Sequence, residues 1–292
     1  MTQPSIGFIG FGEAGFHIAT GLRSVGLKQI SAYDIDLGPR VQRQATDSQT
    51  PIVASPQQLA ASADILISAV TSSSARGAAE QMLPFLEAGH VYLDINSISP
   101  ALKQEIDSLI RTTPATFVEA AVMAPVPPYG HRVPMLLGGA GAAALAETLS
   151  SFGMRFEVVS ENVGVAVAVK MCRSIVIKGL EALMFECVLG ASRYGAEDRV
   201  FASLQESYPG IEWKKLADYM VGRVALHGER RAREMEEVAE TLRAAGIDPI
   251  MAEATARRQD WSTPLDLRSH FGPEGPSNYA EVLELIRNKT NG

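Results

Sequence analysis

The sequence predicts an α/β domain with a mostly parallel sheet, followed by an all-α domain, the two joined by one long helix. Three observations carry this. Short apolar runs alternate with amphipathic helical patterns up to about residue 160, residues 162–192 read as one continuous helix, and only helical patterns follow. Strands separated by helices build βαβ units and therefore a parallel sheet. The expected division is 1–161 for the α/β domain and 162–292 for the helical one.

The expected strands are Ser5–Ile9, Gln29–Asp34, Ile52–Ala54, Asp64–Val70, Val91–Asp94, Thr116–Val122, Pro134–Gly138 and Arg155–Val159. The run Ile-Leu-Ile-Ser-Ala-Val ending at Val70 is almost wholly apolar, as in a strand covered on both faces. The long apolar helix from Asn162 to Ser192 needs burial, either between the domains or against a second subunit. Beyond it, helices are expected at Glu197–Glu206, Glu212–Val221, His227–Ala245 and Pro249–Asp260. Gly246 suits the residue just past the end of the third, and Pro249 follows as a stop.

Composition narrows the function classes. The net charge of −7, from 26 basic and 33 acidic residues, opposes a nucleic-acid partner, which needs a clustered basic face. The one basic run, Arg230-Arg231-Ala232-Arg233, is hemmed by Glu229, Glu234, Glu236 and Glu237. Cys172 and Cys187 fall on one expected helix roughly 22 Å apart along its axis, too far to join. Reduced thiols, an opening without a basic leader and no run of membrane-spanning length lead to an expected cytoplasmic location without a membrane partner. No metal site is expected.

The segment Gly10-Phe11-Gly12-Glu13-Ala14-Gly15 carries G-x-G-x-x-G after the first expected strand and at the opening of a helical pattern. That context is the dinucleotide-binding arrangement of a Rossmann domain. Gly10 allows the tight turn, Gly12 lets backbone approach the pyrophosphate, and Gly15 lets the helix pack close to the strand. The helix N-terminus then offers N–H groups and the positive dipole end to phosphate. Asp34 ends the second strand, where a carboxylate accepts ribose hydroxyls and repels a 2′-phosphate, so NAD is expected over NADP. Asp36 competes for the same role, Arg40 could hold a phosphate, and a purely turn-forming Asp34 is also open.

Lys170 stands in the apolar stretch Val163–Met171. On a helix, Arg173 and Ser174, then Ile177 and Lys178, follow on its face. Partial burial beside two further cations lowers a lysine's pKa and suits it to exchange a proton. From spacing alone, ion pairing of these cations with Glu181 or Glu186 is an equal alternative.

These residues carry a resemblance. The opening Gly7-Phe-Ile-Gly-Phe-Gly-Glu-Ala-Gly15, the stretch Leu93-Asp-Ile-Asn-Ser-Ile-Ser-Pro100 beside D-x-S-T-I-S-P, and the Gly164-to-Lys170 spacing resemble the β-hydroxyacid dehydrogenases. That family includes 3-hydroxyisobutyrate and 6-phosphogluconate dehydrogenases. The pattern KMCRS-x₃-KGLEAL-x₂-E is similar to a phosphogluconate-dehydrogenase-like subgroup. The resemblance implies Lys170 as general acid/base and a homodimer with intertwined helical domains. It implies cofactor contacts from Val70, Thr71 and Asn96 besides the glycine loop. Ser97 and Met123 are expected to line the substrate pocket, and Arg173, Ser174 and Lys178 to orient an anionic group.

Several positions depart from the family pattern. Glu119-Ala-Ala-Val-Met-Ala-Pro125 stands where the family has D-A-P-V-S-G-G, Ala166 replaces a glycine and Ser174 an asparagine. Ile177 and Lys178 occupy the places of the glutamate acid and following tyrosine of 6-phosphogluconate dehydrogenases, and Arg233-Glu234 that of a Lys-Asp pair. The expected activity is hydride transfer between NAD(P) and an anionic hydroxyacid, without decarboxylation. An imine reductase of the same architecture, which usually lacks the lysine, and a non-catalytic NAD(P)-binding regulatory protein are the alternatives.

Overall fold

The computed structural model describes residues 3–272 and 274–290. Seven strands form one sheet: β1 (Ile6–Ile9), β2 (Ile30–Tyr33), β3 (Ile65–Ser68), β4 (Val91–Asp94), β5 (Thr116–Val122), β6 (Pro134–Gly138) and β7 (Arg155–Ser160). Between them lie α1 (Glu13–Ser24), α2 (Pro39–Asp47), α3 (Pro56–Ser62), α4 (Ala75–Met82), α5 (Pro100–Ile110) and α6 (Ala142–Ser150). Then come α7 (Val165–Ser192), α8 (Glu197–Ser207), α9 (Trp213–Ala244), α10 (Ile250–Asp260), α11 (Leu267–Phe271) and α12 (Tyr279–Thr290).

The sheet order is β2-β1-β3-β4-β5-β6-β7. All neighbours are parallel except β5 and β6, which are antiparallel, so the expected mostly parallel sheet is present. Successive strand residues feed opposite cores, as the pleat requires. Phe8, Ile67, Leu93 and Val118 enter one apolar cluster. Their neighbours Ile9, Leu66, Tyr92 and Phe117 enter the other. Both faces are covered, which explains the continuous apolar strands.

The chain divides into two compact units, Met1–Lys170 and Met171–Gly292. The division falls inside α7, nine residues beyond the expected 161/162 boundary. Its physical reason is that the start of α7 and the turn before it belong to the α/β unit: Val163, ahead of the helix, and Ala166, in its first turn, are buried in that unit's apolar clusters.

Three sequence expectations are corrected. The strand at Ile52–Ala54 is only an isolated bridge between Ile52 and Ala32, because Ser55 caps α3 immediately afterwards. The helices Glu212–Val221 and His227–Ala245 are one helix, α9. Its internal glycines are packing residues and not breaks: a Cβ on Gly228 would stand 2.8 Å from the Gln259 carbonyl oxygen, and one on Gly222 3.4 Å from Pro276 Cγ. Finally, α12 lies beyond the last expected helix and buries Val282, Leu283 and Ile286 in the helical unit's core.

Helix α7 also retains exposed apolar side chains. Val176 is 59% and Leu183 57% exposed, so described residues of this chain do not supply the burial its composition demands. No helix among the described residues is long and apolar enough to cross a membrane.

On α9, burial together with Arg223, Arg230, Arg231 and Arg268 pushes the His227 imidazole down to about 4. The unfolded chain, with an ordinary histidine near 6.5, therefore takes up the proton first. Stability from this group is complete above about pH 6.5 and is lost as the pH falls toward about 4. Melting temperatures of wild type and His227→Gln measured across that window check this. The wild type is expected to lose more stability than the variant, and parallel curves would contradict it.

Candidate active site

The glycine loop joins β1 to α1, and each glycine has a different physical reason. Gly10 has φ +83°, and a Cβ there would stand 2.7 Å from Val70 Cγ1 and 2.8 Å from the Ala69 carbonyl oxygen. Gly15 lets α1 sit against the loop, since its Cβ would lie 2.9 Å from the Gly10 carbonyl oxygen. Gly12 differs: its φ of −78° suits any residue, and a Cβ there meets nothing within 4 Å. The protein's own packing does not ask for glycine at this position. A ligand that must approach the backbone does.

No side chain caps the N-terminus of α1. The first N–H groups of a helix have no intrahelical acceptor, so Glu13, Ala14 and Gly15 present donors and a positive dipole end beside Gly12. This cradle fits a dinucleotide pyrophosphate. The Phe11 ring is an anchor, fully buried and edge-on to Phe8 with centroids 6.0 Å apart.

Asp34 forms the turn and, beyond what the sequence indicated, braces the glycine loop. Its Oδ2 accepts the Phe11 N–H at 2.6 Å, fixing the glycine loop, and its Oδ1 accepts the Asp36 N–H at 2.8 Å, forming the turn. Each carboxylate oxygen keeps a second lone pair for a ribose hydroxyl. Asp36 is exposed and accepts the Gly38 N–H at 2.9 Å.

The ends of β3 and β4 are tied together. The Asn96 side-chain oxygen Oδ1 accepts the Val70 N–H at 2.7 Å, and its Nδ2 donates to Ser68 Oγ at 2.9 Å. Asn96 is buried and its side chain thus shapes the loop that braces Gly10, while Thr71 lies exposed one residue further on.

Lys170 and Ser97, separated by 73 residues, meet: Lys170 Nζ donates to Ser97 Oγ at 3.1 Å. The Ser97 carbonyl oxygen accepts from Ser72 Oγ at 3.0 Å. Gly164, at the start of the family spacing, has φ +102° and takes the tight turn into α7. Met123 packs against the small cluster of Ala121, Leu136 and Ala166, so its side chain borders the first turn of the helix bearing Lys170.

Three buried charged residues meet here, of which the sequence reading had no place for Lys103 and took Asp94 and Glu119 only as parts of family motifs. Lys103 is fully buried and donates to Asp94 Oδ1 at 2.9 Å and to the Asp94 carbonyl oxygen at 2.7 Å. Glu119 is fully buried, and its Oε1 accepts the N–H groups of Gly164 at 2.7 Å and Ala166 at 3.0 Å. Burial pushes the Glu119 carboxyl up, opposed by those backbone donors and by Lys103. The signal was available: Lys103 shares the helical stripe of Ile106 and Ile110, and Glu119 interrupts the apolar strand TFVEAAV.

The remaining expected residues belong to the helical unit. Lys178 pairs with Glu234 Oε2 at 2.8 Å and donates to Ser174 Oγ at 3.2 Å. Burial alone would raise the Glu234 carboxyl, but Lys178 and Arg230 hold it below the usual carboxylate range. The ion pairing considered for this stripe is therefore real, with Glu234 as the partner of Lys178. Glu181 instead pairs with Arg231 at 2.6 Å, and Glu186 with Arg258 at 2.6 Å. Arg173 is exposed. Among the described residues no cluster of His, Cys, Asp and Glu could hold a metal ion.

The glycine loop, the open helix terminus and the parallel sheet define an NAD(P)-binding protein of dehydrogenase type. Residues 5–150 match the family described as the NAD binding domain of 6-phosphogluconate dehydrogenase, and the chain belongs to it. Residues 191–262 match a domain of unknown function, DUF1932. A conserved hypothetical protein from Sinorhizobium meliloti is 34% identical, with 98% of this chain and 97% of that one covered at a TM-score of 0.85. A conserved protein of unknown function, MTH1747, described as structurally similar to 3-hydroxyacid dehydrogenases, is 32% identical, with 91% of this chain and 98% of that one covered at a TM-score of 0.79. Human mitochondrial 3-hydroxyisobutyrate dehydrogenase is 26% identical over 219 residues, which span 73% of this chain and 64% of that enzyme.

Proposed function

We propose that the protein oxidises an anionic hydroxyacid, reversibly and without decarboxylation, with NAD as the preferred cofactor and Lys170 as general acid/base. The observation that carries this is the convergence of Lys170 on Ser97 in the same unit as the glycine loop. The relative that bears a 3-hydroxyisobutyrate dehydrogenase name supports the hydroxyacid class.

A nicotinamide dinucleotide held by its pyrophosphate at the glycine loop would supply the hydride acceptor. The backbone at Gly12 and the α1 terminus bind the pyrophosphate, and Asp34 orients the ribose. Lys170, in its neutral form, takes the substrate hydroxyl proton, and Ser97 Oγ holds the amine in place. Arg173 and Ser174 contribute to gripping the anionic group. Lys178, neutralised by Glu234, contributes less charge than its place on the stripe suggested. An isoleucine at 177 cannot protonate the carbon left by departing CO₂, so carbon count is conserved. The exposed apolar side chains of α7 support a homodimer that covers them.

Two measurements test the reading. Mass spectrometry of products from 3-hydroxyacids and 6-phosphogluconate with NAD⁺ is expected to show carbonyl products of unchanged carbon number. Robust CO₂ release contradicts it. Calorimetry is expected to show tighter binding of NAD than NADP, with the gap narrowed in Asp34→Ala because the repelling carboxylate is gone. Tighter NADP binding by the unmodified protein contradicts the preference.

A further inference from the structure

A buried cluster of charges on β4, β5 and α5 is used by no step above. Asp94 and Glu119 are register partners on the parallel strands β4 and β5. Lys103, from α5, donates to Asp94 and reaches the Ala120 carbonyl oxygen at 3.4 Å. Asp94 is 1% exposed, and Lys103 and Glu119 are 0% exposed. Two carboxylates against one ammonium leave a surplus negative charge, which in a protein interior must be compensated.

The compensation is the N-terminus of α7. Glu119 Oε1 accepts from Gly164 and Ala166, satisfying donors that a helix start leaves free and placing the carboxylate at the positive dipole end. The fold clears room for this, since a Cβ on Gly138 would stand 2.5 Å from Glu119 Oε1. A second tie holds the same turn: Gln104, next to Lys103 on α5, donates to the Val163 carbonyl oxygen at 3.1 Å. Lys103 thus anchors the strand end leading to Ser97, while Gln104 and Glu119 anchor the helix start leading to Lys170. Ala166 and Lys170 are one helical turn apart, about 6 Å along the axis.

We propose that Glu119 is a positioning residue for Lys170: its carboxyl group caps the first turn of α7 and so places Lys170 Nζ on Ser97, and its charge tunes the acidity of the lysine. This rests on the reading of Lys170 as the proton-transfer group. The Glu119 Oε2 atom is buried with no hydrogen-bond partner, so an amide nitrogen in its place would be equally unpartnered.

The test is competitive labelling of Lys170 with acetic anhydride across pH, in the full-length protein, quantified by mass spectrometry. Glu119→Gln keeps an acceptor oxygen and removes the charge. Losing a negative charge at the cap of its helix destabilises the ammonium, so labelling of Lys170 near neutrality is expected to rise about threefold, the equivalent of half a pKa unit. Turnover is expected to fall about tenfold, with KM for NAD⁺ within about twofold, since the glycine loop is untouched. Glu119→Asp keeps the charge but withdraws it by one methylene. It gives a second reading if the amide variant fails to fold, with labelling raised by a smaller factor. A labelling curve superimposable on the wild type's overturns the proposal. If labelling shifts while Lys170→Ala keeps its turnover, the positioning stands and the proton-transfer reading falls.

Discussion

Lys170→Ala is expected to lose turnover on the order of 10²–10⁴-fold, the range a positioned acid/base supplies, while NAD⁺ binding stays within about twofold. The two effects separate because the lysine and the pyrophosphate cradle are different structures. Lys170 sits on α7 and donates to Ser97, whereas the cradle is the loop from Gly10 to Gly15. An alanine continues the helix without strain, so the loss reads chemistry and not folding. Steady-state kinetics paired with calorimetry checks this. Retention of more than about a tenth of the turnover number would give Lys170 a structural role only.

The second large effect is expected at Gly12. Gly12→Val should weaken NAD⁺ binding by about 100-fold or more, equivalent to about 2.7 kcal/mol, and cost stability only about 1 kcal/mol, the loss of a glycine at the N-cap of α1. A Cβ there meets nothing within 4 Å beyond its chain neighbours, so the side chain projects into open space at the α1 terminus. Gly10→Ala is the contrast. At φ +83° with Val70 and Ala69 in the way, it should cost stability as well as binding. Thermal melting beside calorimetry separates the two, and a Gly12→Val protein that binds NAD⁺ normally would place the cofactor elsewhere.

The α/β half was legible because its signals are local. The glycine spacing, the acidic end of the second strand and the two-faced apolar strands each follow from a few adjacent residues. The Lys170–Ser97 meeting was legible only through the family spacing, since nothing in either segment announces the other. Long-range charge pairing was not legible. Periodicity put Lys178 on the Lys170 stripe, but its partner Glu234 comes from α9, 56 residues on. Glu119 read as part of a substrate motif, and its role as the cap of α7 depends on β5 and α7 meeting in space. The merged helix α9 was missed for a related reason: Gly222 and Gly228 look like breaks until Pro276 and Gln259 are seen packed against them.

The most direct measurement is NADH formation by the wild type and Lys170→Ala, side by side, across anionic 3-hydroxyacids and their neutral alcohol counterparts. The account predicts turnover of at least one anionic hydroxyacid by the wild type, little or none with the neutral alcohols, and loss of that turnover in the variant. No turnover of any hydroxyacid by a protein that binds NAD⁺, or equal rates in the two proteins, would contradict it.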